Sequence, residues 1–357
     1  MIFLSKDAKH QKDRRSQKGK RFRSILVLCI SLVLLIGLAG WLFYQSKLGL
    51  LNYDDGFHEI DTTTQLPLDG LDIPELGNAP GDADFLKGLP SDGIFHDKDV
   101  VNILLLGTDD HGKTFSDNAR ADAIMLLSLN TKNHTIKLVS IERGIGVSVP
   151  GRNDDWITHT FRYGGAALTM QTVRDCFNVD VDRYIRVNFQ SFQSGIDAIG
   201  GIDINITKAE ADYMNDPSSD SRYGHGIQTV TPGLNHVNGA TALNYARVRK
   251  IDSDWKRIQR QRNVIQAALD QVKNADLLTL NKLANTILPM IQTNLTKSEI
   301  TSLLLEVPGF ISGGLQIEQL TLPTEETCWN TVGVDGRKMI GVDFPANAKI
   351  LHEFFYE

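Results

Sequence analysis

The fold of this 357-residue chain is decided by residues 123–141, which read AIMLLSLNTKNHTIKLVSI. Two short apolar runs, residues 123–129 and 135–141, flank the polar residues 130–134. Apolar runs of this length, bounded by turn residues, are typical of buried strands. The stretch therefore predicts an antiparallel hairpin at the centre of a buried sheet.

Strand and helix patterns alternate around this hairpin, which is typical of α/β folds. Residues 101–106 form one more apolar strand candidate, which runs into Gly107. Further strands are predicted at 184–189, 202–206 and 315–322, and helices at 165–178, 191–199, 238–246, 256–273, 276–288, 298–306 and from Pro345. We therefore predict the fold class α/β, as a three-layer αβα domain with a mixed central sheet over residues 100–357.

The chain begins with a basic head followed by an uncharged run. Residues 1–23 carry nine basic and two acidic groups, and residues 24–44 carry no formal charge. A helix of that length spans about 30 Å, the hydrocarbon thickness of a bilayer. By the positive-inside rule we expect a single-pass cell-membrane protein with a cytoplasmic tail at 1–23, a transmembrane helix at 24–44 and an extracytoplasmic domain. A cleaved signal peptide and a buried core helix are the alternatives.

Residues 45–99 connect this run to the predicted domain. Residues 52–99 contain twelve acidic groups against two lysines, interspersed with prolines and glycines. Such a composition predicts a tether that is held extended by its own like charges. A specific docking surface is the alternative interpretation of the same residues.

Cysteine and histidine provide little evidence of chemistry. Cys176 and Cys328 would lie outside the cell, where pairing is permitted, but isolated thiols are more often ordinary buried residues, and their pairing stays open. The nine histidines include neither His-x-His nor His-Glu-x-x-His, which argues against a zinc site.

Residues 107–114 read GTDDHGKT and match the P-loop pattern G-x-x-x-x-G-K-[ST]. That pattern requires a helix whose N-terminus faces the phosphates, but seven residues between Thr114 and Asp122 are too few for a crossover helix. Two adjacent carboxylates would also repel the phosphates, and the segment is predicted to lie away from the nucleotide pool. We therefore reject nucleotide hydrolysis.

The same loop offers carboxylates and an arginine at the ends of strands. Asp109 follows the first strand candidate, and Arg120 and Asp122 lie where the next one starts. Carboxylate oxygens suit a hard divalent cation, and arginine suits the phosphate oxygens that such a cation bridges. Strand ends in α/β folds are common ligand sites, although a loop salt bridge explains the spacing equally well. Arg143, directly after the third strand, would emerge at an edge of the same sheet.

The densest group of arginines lies in residues 245–262, which read YARVRKIDSDWKRIQRQR. In extended form Arg247 and Arg249 share one face. On the following helix Arg257, Arg260 and Gln261 form one stripe, beside an apolar stripe that would seat the helix on the core. Together with Arg262, the arginines form a cluster suited to bidentate phosphate recognition. A solvated charged helix is the alternative, and a nucleic-acid partner is disfavoured because the domain is net acidic.

Seven ordered segments carry a family resemblance. They are the strand and Gly-x-Asp loop from Asn102 to Asp109, Arg120-x-Asp122-x-Ile124-Met125-Leu126, Ser140-Ile141-x-Arg143, Tyr163-Gly164-Gly165, Asp197-x-Ile199-Gly200-Gly201-Ile202-Asp203, Gly239-x-x-Ala242-Leu243-x-Tyr245-Ala246-Arg247-x-Arg249, and Asp252-Ser253-Asp254 with Arg257-x-x-Arg260-Gln261-Arg262. In this order and spacing the segments resemble the LytR-CpsA-Psr (LCP) family, whose members attach glycopolymers to bacterial cell walls.

The resemblance implies a phosphotransferase that passes a polymer, teichoic acid or capsule-like, from a polyprenyl-pyrophosphate carrier to a hydroxyl of peptidoglycan. It implies an αβα domain with an apolar pocket for the polyprenyl chain and a pyrophosphate site that uses Mg²⁺ or Mn²⁺. Asp109 and Asp122 would bind the metal and, with Arg143, form the catalytic set. The pyrophosphate would be held by Arg120, Arg143, Arg247, Arg249, Arg257 and Gln261.

Some positions depart from the family pattern. Where the family commonly has Pro-Arg-Asp, this chain has Glu142-Arg143-Gly144, so one carboxylate is missing. Asp254-Trp255-Lys256-Arg257 stands where Asp-Phe-Gly-Arg is usual, and His159 lies near a frequent asparagine. A non-catalytic polyprenyl-phosphate-binding or regulatory protein of envelope assembly, and a polyprenyl pyrophosphatase, therefore remain alternatives.

Overall fold

A computed structural model describes residues 44–68, 71, 73, 75–76, 93–112, 114–312 and 316–356. The predicted cytoplasmic tail and residues 24–43 of the predicted span lie outside these ranges. None of the helices in the described part of the chain combines the length and the apolar character needed to cross a membrane. The chain divides into two compact units, 1–50 and 51–357; residues 44–48 of the first are helical.

The second unit is a mixed α/β domain. Its described strands are β1 Asn52–Tyr53, β2 Val100–Thr108, β3 Ala121–Asn130, β4 Thr135–Ile141, β5 Gly146–Val147, β6 Asp155–Trp156, β7 Arg183–Asn188, β8 Ile202–Ile206, β9 Gly233–Val237, β10 Gln292–Thr293, β11 Ile317–Leu322, β12 Cys328–Val332 and β13 Lys338–Val342. Its described helices are α1 Ile157–Phe177, α2 Phe189–Ala198, α3 Lys208–Asn215, α4 Gly239–Arg247, α5 Asp254–Lys273, α6 Leu277–Ile287, α7 Lys297–Ser312 and α8 Phe344–Tyr356.

The central sheet is mixed, with the strand order β1-β10-β7-β2-β3-β4-β11. Strands β3 and β4 form the antiparallel hairpin predicted for residues 123–141, and β2 pairs antiparallel with β3. Strands β7 and β11 pair parallel with β2 and β4. The sequence prediction of a mixed sheet is therefore confirmed.

The two faces of the sheet pack against different helices, because successive side chains alternate between the faces. On one face Leu104, Leu106 and Leu126 pack into a core with α1 and α8. On the other face Leu105 is in register with Met125 on β3 and with Ile185 on β7. Helices α2, α4 and α5 lie on that second side, where they form a smaller core with β8 and β9.

Helix α1 starts earlier than the predicted residue 165. It begins at Ile157 and is interrupted at Gly164 and Gly165, where Gly165 has a φ of +66° that favours glycine. Residues 157–163 read ITHTFRY, and β-branched and aromatic residues have low helix propensity. The first turns of α1 therefore depend on tertiary packing, which the local pattern does not reveal.

Strand β8 was expected within an alternating strand–helix pattern but does not join the central sheet. It pairs with β9 in a separate two-stranded sheet. The hairpin β12–β13 was not predicted either. Between Thr108 and Ala121 the described residues form no helix, which agrees with the rejection of a P-loop.

Residues 52–68 lie along the domain, although the sequence predicted a tether there. Strand β1 pairs with β10 at the edge of the central sheet. Further on, Arg152 donates to the carbonyl oxygen of Asp61 over 2.7 Å, and the buried Arg337 donates to that of Pro67 over 2.6 Å. Because these partners are distant in sequence, no local period marks the segment as structured.

Candidate active site

A cavity of about 530 Å³ lies between the second face of the sheet and helices α2, α4 and α5. All eight residues predicted for the site line it: Asp109, Arg120, Asp122, Arg143, Arg247, Arg249, Arg257 and Gln261. They come from β3, α4, α5 and the loops that follow β2, β4 and α4. The structure thus brings the whole predicted set together, while the role of each residue remains a prediction.

The cavity is amphiphilic. Its floor on the sheet consists of Leu105, Met125, Ile185 and Val187, and the helices contribute Phe192, Leu243 and Ile265. Gly107 is in register with Ala123, and both residues are small, so the floor leaves more space next to the charged end. The charged residues therefore occupy one end of a cavity whose remaining wall is apolar.

A buried ion-pair network orders the charged end. Arg143 Nη1 donates to Asp122 Oδ1 over 2.7 Å, and Arg143 Nε donates to Asp254 Oδ2 over 3.0 Å. The same oxygen of Asp254 accepts a hydrogen bond from Arg257 Nη2 over 3.1 Å. Asp254, the first residue of α5, therefore holds two arginines of two different elements beside each other.

The network sets the ionisation of its members. Burial opposes the charge on Asp122, but the charges of Arg143, Arg257 and Arg120 outweigh it and lower the pKa of Asp122 to about 2. Burial and then the neighbouring charge of Arg143 lower the pKa of Arg257. The carboxylate of Asp122 is therefore ionised throughout the neutral range, and the surroundings of Arg257 disfavour its charged form.

Two N–H groups of this network have no hydrogen-bond partner among the described residues. They are Nη2 of Arg143 and Nε of Arg257, and both atoms are buried. An unsatisfied buried donor costs about 1–3 kcal/mol, more if it is charged. Arg143 and Arg257 both line the cavity, so its charged end offers guanidinium charge to an anion.

Asp109 and Arg120 form the loop salt bridge that the sequence left as an alternative. Arg120 donates through its backbone N–H to Asp109 Oδ1 over 2.8 Å and through Nε to Oδ2 over 3.0 Å. Both residues nevertheless line the cavity. The pair therefore forms part of the cavity wall, and each of the two residues has one side that faces the cavity.

Arg247 and Arg249 enter the cavity at the end of α4. The chain leaves the helix at Val248 in an extended conformation, which puts both side chains on the cavity, as predicted. Arg247 lies over the ring of Phe189 at 4.9 Å and donates to the carbonyl oxygen of Ser221. These contacts fix the guanidinium group before any ligand binds.

The predicted five-arginine cluster is wrong for two members. Arg260 Nε lies 2.7 Å from Glu210 of α3, and its guanidinium also bonds to Asp252. Arg262 donates to Gln319 and Thr321 of β11. Both arginines are satisfied by acceptors that are remote in sequence, so they stabilise the helix instead of lining the cavity.

Sequence reasoning assigned no role to three residues of this region. Asp254 lies within the last of the segments that carry the family resemblance. Its position at the start of a helix was the signal that could have identified it. Glu142 is buried, and burial together with the charge of Asp254 raises its pKa to about 8. His111 lines the cavity and stacks on Tyr223 at 4.6 Å.

The chemistry of the carboxylates allows a partial metal site. Within the described ranges, no group of three or more histidine, cysteine or acidic residues is arranged to hold a metal ion. Asp109 and Asp122 are two anionic oxygen donors on the same cavity. Mg²⁺ is commonly held by one or two carboxylates together with substrate phosphates and water, so this pair fits such an ion only with a phosphate ligand present.

The fold and the cavity define a class of protein: an α/β domain that offers arginines and carboxylates to an anion and an apolar wall to the group attached to it. Comparison with known proteins gives the family. The LytR_cpsA_psr family model matches residues 82–353, so the chain belongs to this family, and the resemblance noted in the sequence is confirmed.

Several characterised relatives share this part of the chain. The polyisoprenyl-teichoic acid–peptidoglycan teichoic acid transferase TagU of Oceanobacillus iheyensis is 35% identical over 229 residues, which cover 60% of this chain and 65% of the relative. The corresponding transferase TagT of Bacillus subtilis is 34% identical over 180 residues, 50% of this chain and 54% of the relative. The chain thus spans less than two thirds of the length of these relatives.

Solved structures agree with the fold. The structure of TagT bound to LIIa-WTA superposes with a TM-score of 0.58 at 26% identity and covers 72% of this chain and 91% of that one. The structure of Bacillus subtilis TagV superposes with a TM-score of 0.57 at 26% identity, with 73% and 98% covered.

Proposed function

We propose that this chain is a membrane-anchored phosphotransferase that moves a glycopolymer, teichoic acid or capsule-like, from a polyprenyl-pyrophosphate carrier to peptidoglycan. Residues 24–44 would form the single transmembrane helix, with residues 1–23 in the cytoplasm and the domain outside. The names of the relatives TagU and TagT support a transferase of this kind. The cavity adds an independent physical argument.

The observation that carries this proposal is the cluster of arginines at one end of an apolar cavity. Arg143, Arg247 and Arg257 line that end and offer positive charge and N–H donors to an anion. Met125, Ile185 and Phe192 require an apolar neighbour. A polyprenyl pyrophosphate provides both in one molecule, whereas a free nucleotide or a sugar phosphate would leave the apolar wall uncovered.

In this proposal the arginines bind the phosphates, and the two aspartates bind the metal ion and accept a proton. Arg143, Arg257, Arg120, Arg247, Arg249 and Gln261 hold the two phosphates. Asp109 and Asp122 would bind Mg²⁺ or Mn²⁺, which neutralises phosphate charge when it is present. Because the arginines are fixed in advance by Asp254, Phe189 and Ser221, little reorganisation accompanies binding.

The transfer proceeds as an in-line displacement at phosphorus. A hydroxyl oxygen of peptidoglycan forms a bond to the polymer-linked phosphorus, and the bond from that phosphorus to the bridging oxygen breaks. Polyprenyl phosphate leaves with that oxygen, and Asp109 or Asp122 accepts the hydroxyl proton. Arg143, which binds Asp122 and lines the cavity, would stabilise the charge that develops on the transferred group.

Measurements of carrier binding and of polymer transfer test the proposal directly. The full chain in detergent micelles is incubated with labelled polymer on polyprenyl pyrophosphate and with peptidoglycan oligomers. Arg257→Ala removes a charge-assisted contact of about 1.5–3 kcal/mol, which weakens carrier binding by roughly 10- to 150-fold. Arg262→Ala is the matched control, because Arg262 lies on the same helix but bonds to β11. Equal carrier binding by the two variants would exclude the proposed phosphate site.

A second candidate is a non-catalytic binder or regulator of lipid-linked intermediates. It is favoured by Gly144, which lacks the acid usual in the family, and a Cβ atom at this position would lie 2.6 Å from Cδ1 of Ile73, so an acid there would require the Ile73 side chain to move. Tight carrier binding without polymer transfer from any donor would support this candidate. Phosphate release without an acceptor would instead indicate a polyprenyl pyrophosphatase.

A further inference from the structure

Helix α7 leaves an apolar stripe uncovered. Leu304, Val307, Pro308 and Ile311 follow one another at i, i+3, i+4 and i+7, which places them on one face. Leu304 and Ile311 are 50% and 61% exposed, and the adjacent Leu305 is 75% exposed. A contiguous apolar patch on a protein surface marks an interaction site.

The opposite side of α7 is fixed on the domain. Phe310 is buried and meets the ring of His134 edge-on at 5.5 Å, and Glu306 lies 3.5 Å from the same imidazole. Near the start of the helix, Glu299 Oε1 lies 2.6 Å from Arg183 Nη2. Because α7 is held near both ends, its apolar stripe is presented in a fixed direction away from the domain.

These contacts place α7 across one end of the central sheet. Arg183 is the first residue of β7, and His134 lies in the turn between β3 and β4. Asp109 and Asp122 lie at the opposite ends of β2 and β3. The apolar floor of the cavity, which includes Leu105, lies between the two ends, so a lipid with its phosphates at the arginines would direct its chain towards the end that carries α7.

We propose that the apolar stripe of α7 contacts the acyl region of the bilayer that anchors this chain. The inference rests on the membrane anchoring proposed above. Seven residues lie between Tyr44, the end of the proposed span, and Asn52 of β1, and the eight steps from one to the other span at most about 28 Å even when fully extended. The bilayer is therefore an apolar phase within reach of the domain.

The chemistry of the stripe fits lipid better than a charged partner. Between residues 304 and 311 the sole ionisable side chain is Glu306, and it is directed to His134. An interfacial helix buries its apolar face about 5–10 Å into the boundary of headgroups and acyl chains. In that orientation the chain of a carrier lipid bound at the arginines would point from the cavity back towards the bilayer.

Fluorescence quenching by brominated lipids tests this contact. The full chain with Cys29→Ser and Leu305→Cys is labelled with bimane and reconstituted into vesicles of phosphatidylcholine with brominated acyl chains. The native Cys176 and Cys328 are buried, so they do not compete for the label. We expect quenching several-fold stronger than at Leu234→Cys, a matched leucine on β9 that is 73% exposed.

The outcomes separate this inference from the proposed function. If the chain does not float with the vesicles, the anchoring is wrong and the contact of α7 falls with it. If the chain floats but the labels at residues 305 and 234 are quenched equally, or neither is quenched, the contact of α7 is wrong and the anchoring stands. Ile311→Cys, on the stripe itself, should be quenched at least as strongly as the label at the adjacent residue 305.

Discussion

Arg143 Nε lies 3.0 Å from Asp254 Oδ2, and both side chains are almost completely buried. The same carboxylate also holds Arg257 at 3.1 Å. One buried anion therefore orients two cations that line the cavity. This makes Asp254 a positioning residue, which acts on a phosphate ligand through the arginines.

Asp254→Asn should destabilise the protein strongly. The substitution keeps the shape of the side chain but removes the countercharge of Arg257 and one of the countercharges of Arg143, and breaking a buried ion pair in this way costs about 3–5 kcal/mol. Urea unfolding of the full chain in micelles measures the loss. Asp270→Asn, at an exposed position of the same helix, should change stability by less than about 0.5 kcal/mol. Equal stability of the two variants would contradict the network.

Glu142 should make stability depend on pH. Burial and the charge of Asp254 raise its pKa from 4.5 to about 8. The folded state therefore binds a proton that the unfolded state releases, so this contribution to stability is complete below pH 4.5 and is lost as the pH rises to about 8. Glu142→Gln, which mimics the protonated form, should keep its Tm between about pH 6 and about pH 9 better than the wild type. Parallel profiles of the two proteins would show that Glu142 does not titrate in this range.

Local patterns predicted most of the site because its residues follow strands. An apolar run that stops at a polar residue places that residue at an end of the sheet, and Asp109 and Arg143 were found in this way. Arg260 lies three residues after Arg257 on the same predicted stripe, yet Glu210 of α3 binds it. A partner fifty residues away leaves no periodic signal, so the local pattern overestimated the arginine cluster.

For residues 52–68 the sequence led to the opposite error, because it missed contacts with the domain. The composition of this segment predicted an extended tether, but the carbonyl oxygens of Asp61 and Pro67 are bound by Arg152 and Arg337. Charge and proline content report how a chain behaves alone. They do not report acceptors that it offers to arginines far along the sequence.

A larger side chain on the apolar floor should distinguish long carriers from short ones. Ile185→Phe narrows the cavity beyond the phosphates, so a long-chain polyprenyl pyrophosphate should bind more weakly while a short isoprenoid pyrophosphate keeps its affinity. Binding of both ligands by calorimetry gives the comparison. Val332→Phe, at an exposed position of β12, is the control. Equal weakening for both chain lengths would mean that the isoprenoid chain does not lie on this floor.

Removal of the divalent cation should abolish transfer, and the two cavity aspartates should determine how tightly it binds. Asp109→Asn and Asp122→Asn each remove an anionic oxygen donor, so the Kd for Mg²⁺ should rise when it is titrated in the presence of the lipid pyrophosphate. Asp203→Asn, an exposed carboxylate outside the cavity, should leave this Kd unchanged. A Kd that none of the three substitutions changes would place the cation elsewhere.

Gly144 and Ile73 should behave as a coupled pair. A Cβ atom at residue 144 would lie 2.6 Å from Cδ1 of Ile73, so Gly144→Ala should cost about 1–3 kcal/mol through overpacking. Ile73→Ala makes room for the new methyl group, so the double variant should be more stable than the sum of the single effects predicts, by about 0.5–3 kcal/mol in urea unfolding. Strict additivity would show that Ile73 does not fill this position.

The pair also separates the two candidate functions, because Gly144→Asp in the Ile73→Ala background restores the carboxylate that the family usually has. A gain in polymer transfer from a protein that otherwise only binds the carrier would identify the missing acid, and not the arginines, as the limit on turnover.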